Sequence, residues 1–278
     1  MDLEQQARRV ATAVREAGGR ALCVGGFVRD RIIGRASKDL DVEVFGIPQD
    51  QLLPLLKSLG PSTSLGTSRV EPVGQAFPVY KLGAIDVALP RRESKTGRGH
   101  KGFTVEGDPS MPFEEAARRR DFTINAIGWD PLTDEYLDPF GGRKDLALRV
   151  LRICDRVTFG DDSLRVLRAL QFAARFDLTL DPETARICSA IALDDLPAER
   201  IWGEFEKLLL QAERPSIGFW ACGVAGTGAV FCYALLSGAG ASQVHWADLL
   251  LAGDREVVAH HVGDLIPRQL IINDRHRN

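Results

Sequence analysis

The sequence predicts an α+β protein in which a mixed β-sheet with flanking helices precedes an all-α unit. Three observations predict it. A short apolar run from Ala21 to Val24 leads into Gly25-Gly26 and then into a helical pattern from Phe27 to Ile33, the order strand, glycine turn, helix. Leu40 to Phe45 alternates acidic and apolar residues at period two, as a half-buried strand does. Beyond Gly141-Gly142 the texture turns to helical periodicity, and a helical unit is expected from Arg143. The 278 residues suit about two domains. With 45% apolar and 26% charged residues, the chain has the composition of a folded globular protein.

The elements follow in order. Leu3, Ala7, Val10, Val14 and Ala17 recur at helical spacing before the Gly18-Gly19 stop, so the chain opens with an amphipathic helix. The strand from Ala21 and the helix from Phe27 come next, then the strand from Leu40, where Asp39, Asp41 and Glu43 fall on one face. Pro48 starts a helix running to Leu59. Phe77 to Leu82 and Ile85 to Leu89 are expected strands around a turn at Gly83. Residues 91–102 carry Arg91, Arg92, Lys95, Arg98 and Lys101 against the single acid Glu93 with glycines interspersed, which predicts a mobile basic flap rather than a strand. Helices are expected around Leu164 to Ala174, from Glu183 to Leu193 and from Ala198 to Leu210. The expected division is a head over 1–142, a helical neck over 143–213 and a tail over 214–278.

Thirty-five basic residues against 38 acidic ones leave a net charge of −3, so nucleic-acid contact must come from local patches. The five cysteines (Cys23, Cys154, Cys188, Cys222 and Cys232) are scattered and never in CxxC spacing, which fits a reducing, cytoplasmic compartment and excludes a disulfide framework. The N-terminus lacks the order of a signal peptide. Ile217 to Leu236 is long enough to span a bilayer, but Gly218, Gly223, Gly226 and Gly228 interrupt it and no membrane association is expected. His260-His261 with Asp264 reads as solvated surface.

Asp39 and Asp41, two apart, offer adjacent oxygen ligands of the kind Mg²⁺ requires. An isolated DxD is most often a solvated sheet face. Here Gly25-Gly26 stands just upstream, able to present backbone N–H groups to phosphate, with Arg29 one turn into the following helix to neutralise charge. Phosphate turn, cation and DxD strand together describe a nucleoside-triphosphate site with two metals, one activating a hydroxyl and one holding pyrophosphate. Asp86, on a later strand, is the candidate third carboxylate that orients the attacking hydroxyl.

Five ordered segments then carry a family resemblance. VGGFVRDRIIGRASKDLDVEVFG (24–46) resembles the head motif of the class II template-independent RNA nucleotidyltransferases, the tRNA CCA-adding enzymes and bacterial poly(A) polymerases. RRRDFTINAI (118–127) resembles their ribose-recognition motif, and DPFGGRKDL (138–146) with VLR (150–152) their hinge into the neck. DDSLRVLRALQFAARF (161–176) resembles the nucleobase-selecting neck helix, and LPAERIWGEFEKLL (196–209) the motif after it. The resemblance implies a nucleotidyltransferase head followed by an all-α neck. It also implies Mg²⁺ on Asp39 and Asp41, and triphosphate at Gly25, Gly26 and Arg29. Ribose and phosphates would lie at Arg120, Asp121 and Asn125, and the incoming base would be read by Asp162, Arg165 and Arg168.

The activity it implies is transfer from CTP and ATP to the 3′ end of tRNA with release of pyrophosphate. GQAFPVYKL (74–82) resembles the CCA-type strand, where poly(A) polymerases usually show a basic pattern. The basic loop, whose cations are the candidates for RNA contact, resembles the flexible loop associated with terminal A addition. Two departures stand out: Gln171 replaces an Arg common in the family and Asp161 a Glu, and after RPSIGF (214–219) the resemblance stops. The tail is therefore read as divergent, or as the product of truncation or a frame change near Trp220. A nucleotide- or RNA-binding remnant without catalysis is the alternative of another class, and poly(A) synthesis the alternative within the family.

Overall fold

The computed structural model of the chain describes residues 2–59, 71–73, 78–95 and 103–218. Arg98, Lys101, His260-His261 and the parts of the bilayer-length stretch and of the expected tail beyond Gly218 lie outside them. Among the described residues no helix is long and apolar enough to cross a membrane.

The chain divides into two compact units, Met1–Ala147 with Ile153–Thr158, and Leu148–Arg152 with Phe159 onward. In the first, α1 (Leu3–Glu16), β1 (Arg20–Val24), α2 (Gly26–Ile32), β2 (Leu40–Phe45) and α3 (Gln49–Ser58) follow the sequence pattern closely. Asp2 caps α1 by accepting the Gln5 amide at 2.7 Å, and Ala7, Val10, Ala11 and Val14 form its buried stripe. Next come β3 (Glu71–Val73), β4 (Val79–Leu82), β5 (Ile85–Ala88), β6 (Arg91–Lys95), β7 (Phe103–Gly107), α4 (Phe113–Arg118), β8 (Gly128–Asp130), β9 (Glu135–Leu137) and α5 (Gly142–Leu148).

Seven strands pair in the order β3-β4-β5-β2-β1-β8-β9, with β2 and β5 parallel and the other pairs antiparallel. Leu40, Val42 and Val44 of β2 join Ile85 and Val87 of β5 in a core with Val10 and Val14 of α1 and Leu52 and Leu56 of α3. Each such buried side chain contributes about 1.5–3 kcal/mol. Period two then sends the alternate residues of β2, Asp41 and Glu43, to the other face.

One expectation needs correction, and two short strands carried no sequence signal. Residues 91–95, read as part of a loop, form β6 and pair with β7 from Arg91↔Gly107 to Lys95↔Phe103. Backbone pairing with a partner strand, and the opposite charges of Arg92 and Glu106 facing each other across it, override the lack of an apolar pattern. The short β8 and β9 went unpredicted because three residues are too few to show a period; their turn is closed by Asp134 N–H donating to the Asp130 carbonyl at 2.9 Å. The first compact unit runs through Ala147 and takes in most of α5. A Cβ on Gly142 would lie 2.1 Å from the Thr123 carbonyl oxygen, and Asp145 accepts the Thr123 hydroxyl at 2.7 Å, so α5 is fastened to the first unit.

The second unit contains β10 (Val150–Leu151), α6 (Leu164–Phe176), β11 (Thr179–Leu180), α7 (Pro182–Ala190) and α8 (Ala198–Gln211), with α6 packed on α8. Val166, Leu167 and Leu170 of α6 and Phe205 and Leu208 of α8 are buried, and β10 pairs in parallel with β11. Asp177 ends α6 in the left-handed conformation, and Arg149 and Arg214 both hold its carboxylate.

Candidate active site

The site is built on the Asp41 face of the sheet. β1 ends at Val24, whose register partner on β2 is Asp41, and the chain turns there through Gly25 with φ +72°. A Cβ on Gly25 would stand 3.1 Å from Asp41 Oδ2 and 3.3 Å from Arg120 Nη1. Only glycine suits both the conformation and the space, and the close fit brings the turn against the carboxylate.

Asp41 is open to solvent but has protein on most sides, like a group on the floor of a recess. That enclosure is the largest cause raising its carboxyl above the ordinary range; Arg120 opposes it, and Asp86, Glu43 and Asp39 raise it further. Asp86 is in register with Asp41 across the parallel β2–β5 pair, so both side chains share a face. Glu43 is buried; one of its oxygens accepts from Arg120 at 2.7 Å while the other, Oε2, has no partner. Lys81 donates to both oxygens of Asp86, at 2.9 and 2.8 Å. Asp39 stands exposed just ahead of β2.

Beneath the turn lies a second cluster. Arg29, 4% exposed, donates to Asp30 Oδ1 at 2.9 and 2.8 Å and to Asn125 Oδ1 at 2.8 Å. Asn125 donates in turn to Asp121 Oδ1 at 2.9 Å, and the same oxygen accepts the Phe122 amide at 2.8 Å. The Arg29 guanidinium lies 3.4 Å from where a Cβ on Gly26 would be. It is folded under the turn and held there.

Gly25, Gly26, Arg29, Asp41, Asp86, Arg120, Asp121 and Asn125, chosen from segments far apart in sequence, thus form one neighbourhood. Sequence reasoning left Asp30, Lys81 and the pairing of Glu43 unassigned. The signals were present: an acid beside Arg29, a third acid at period two after Asp39 and Asp41, and a cation opposite Asp86 around the Gly83 turn.

In the helical unit, Arg165 and Arg168 lie three apart on α6, half-buried. Asp162 precedes the helix. One of its oxygens accepts the Leu164 amide at 3.2 Å and the other accepts Arg200 at 3.1 Å. Arg168 lies over the Phe172 ring at 5.0 Å. On the hairpin of β6 and β7, Arg92 pairs with Asp108 at 2.9 Å and with Glu115.

Among the described residues no three acidic, His or Cys side chains converge into a metal cage. Asp39 and Asp41 nevertheless suit a hard divalent cation that shares its shell with water and phosphate oxygens, as Mg²⁺ commonly does. The like charges around Asp41 and the unpartnered Glu43 oxygen are what such a cation would compensate.

Residues 21–152 match the family described as the Poly A polymerase head domain. Over those residues the chain is similar to the head domain of this family. A relative named Multifunctional CCA protein, from Xanthomonas campestris pv. campestris, is 41% identical over 199 residues, covering 68% of this chain and 45% of the relative. Among solved structures, a CCA-adding enzyme in apo form II superposes with TM-score 0.67 at 25% identity, over 82% of this chain and 54% of that one. The Bacillus stearothermophilus CCA-adding enzyme in complex with CTP superposes with TM-score 0.61 at 28% identity, over 82% and 53%. The fold is therefore the nucleotidyltransferase fold, with the head domain's sheet carrying the candidate site. The chain spans about half the length of the proteins it matches.

Proposed function

We propose that this chain transfers nucleotidyl groups from CTP and ATP to the 3′ end of tRNA. The terminal ribose hydroxyl attacks the α-phosphorus, a new P–O ester bond forms, the bond to the β-phosphate oxygen breaks, and pyrophosphate leaves with that electron pair. The observation that carries this reading is the close approach of the Gly25 turn to Asp41, since it sets a glycine turn against a carboxylate whose like-charged neighbours call for a cation.

Asp39 and Asp41 would hold Mg²⁺, which when bound supplies charge neutralisation and a lowered pKa for the attacking hydroxyl. Gly25-Gly26 offers backbone N–H groups to the triphosphate, and Arg29 supports the turn from below as a fixed positive charge. Arg120, anchored on Glu43, faces the same recess and suits phosphate or ribose oxygens. Asp121 and Asn125 keep Arg29 in place. Asp86 would orient the attacking hydroxyl. Asp162, Arg165 and Arg168 would select the base, with an acceptor and donors that match the edges of cytosine and adenine. Arg91, Arg92, Lys95, Arg98 and Lys101 would contact the RNA backbone. Likeness to proteins named for CCA addition supports tRNA as the acceptor, and the scattered cysteines fit the cytoplasm as the place of action.

The test is primer extension: purified protein with Mg²⁺ and labelled CTP or ATP, offered tRNA ending at the discriminator base, at C and at CC. Incorporation is expected, and D39A with D41A abolishes it. Incorporation that survives both substitutions overturns the metal assignment, and its absence on every acceptor leaves the binding remnant as the better reading.

A further inference from the structure

A single row of residues crosses four strands of the head sheet in register. Lys81 on β4 faces Asp86 on β5, Asp86 faces Asp41 on β2, and Asp41 faces Val24 at the end of β1 beside the Gly25 turn. Directly opposed residues share a face, so Lys81, Asp86 and Asp41 stand side by side. Lys81 spans both oxygens of Asp86. Those hydrogen bonds most of all, and then the charges of Asp86, Asp39 and Asp41, outweigh desolvation and hold its pKa above the ordinary lysine value. The proposed function leaves this lysine without a role.

We propose that Lys81 is a built-in competitor for the divalent cation, occupying Asp86 and shielding Asp41 until an incoming triphosphate adds negative charge to the recess. This rests on the reading that Asp39 and Asp41 hold that cation. A monovalent ammonium one strand away offsets part of the carboxylate field, which weakens cation binding to the free protein. Triphosphate restores that field, so cation and nucleotide bind with positive coupling. Lys81 is thus a positioning residue: it restrains Asp86 and keeps the acidic row tolerable in the empty site.

The experiment is a Mn²⁺ titration of the full chain without nucleotide, free Mn²⁺ being read by its electron paramagnetic resonance signal. K81M keeps an apolar stem and removes the charge at a half-exposed position, and K81R keeps the charge. K81M is expected to bind Mn²⁺ about threefold tighter or more, on the scale of an exposed ion pair, with K81R close to the parent protein. Combined with D86N, the K81M gain shrinks. Melting in chelator checks folding: K81M melts lower than the parent and is restored by Mn²⁺. Equal or weaker Mn²⁺ affinity in K81M, with binding by the parent intact and lost in D39A/D41A, overturns this inference alone. Undiminished binding in D39A/D41A, or none by the parent protein, overturns the proposed cation site and this inference with it.

Discussion

Two polar clusters flank the Gly25 turn and are built in opposite ways. Below it, Arg29, Asp30, Asn125 and Asp121 bond to one another, and no buried polar atom of these four side chains is left without a partner. Above it, burial first and then the like charges of Asp86, Glu43 and Asp39 raise the cost of charge at Asp41, and a buried oxygen of Glu43 stays unpaired. A satisfied network fixes a shape; an unsatisfied one is stable only at a cost that a ligand can offset. The difference separates scaffold from working surface, although both consist of charged residues within one domain.

The largest expected effect breaks the upper cluster. D41N removes a carboxylate from the repulsive row, so nucleotide incorporation falls by about three orders of magnitude or more while the melting temperature holds or rises. Activity and melting measured on the same preparation check it; a loss of both would place Asp41 in the scaffold. Breaking the lower cluster gives the opposite signature. R29A strips the partners from buried Asp30 and Asn125, at a cost of about 3–5 kcal/mol measured by urea unfolding. An R29A protein of unchanged stability would mean the network is not what holds the turn. Between the two, G25A adds strain at φ +72° and presses on Asp41 and Arg120, lowering stability by about 1–3 kcal/mol and activity with it.

The working surface was more legible in sequence than its support. Period two in Leu40 to Phe45 placed Asp41 opposite the apolar face, and a glycine pair between strand and helix marked the turn. Both are local signals. Arg29 illustrates what is not local: its spacing from the turn was readable, but its partner Asn125 lies 96 residues on, so its burial beneath the turn was not. Asp162 likewise has a partner that local pattern does not show: it precedes α6, accepts the Leu164 amide and pairs with Arg200 of α8. Strand β6 was missed because its stability comes from backbone pairing with β7 across residues whose charges suggested solvent.

The smallest effect tests whether that hairpin has a fixed base. Asp108 accepts from the Ser110 hydroxyl at 2.6 Å, the Ser110 amide at 3.0 Å and Arg92 at 2.9 Å, while its own amide donates to the Pro90 carbonyl at 2.8 Å. The Ser110 hydroxyl most of all, then the Ser110 amide and Arg92, hold its carboxyl below the ordinary value. A depressed folded-state pKa stabilises the fold above the unfolded value and loses that contribution as pH falls through the folded one. D108N should therefore lower stability by under about 1 kcal/mol at neutral pH, and the gap from the parent protein should close as the pH drops through the carboxylate range. Amide exchange at Arg91 and Gly107, the closing pair of the hairpin, should quicken in D108N at neutral pH. Unchanged exchange there would show that the ladder alone holds the hairpin base, leaving Arg92 available for RNA.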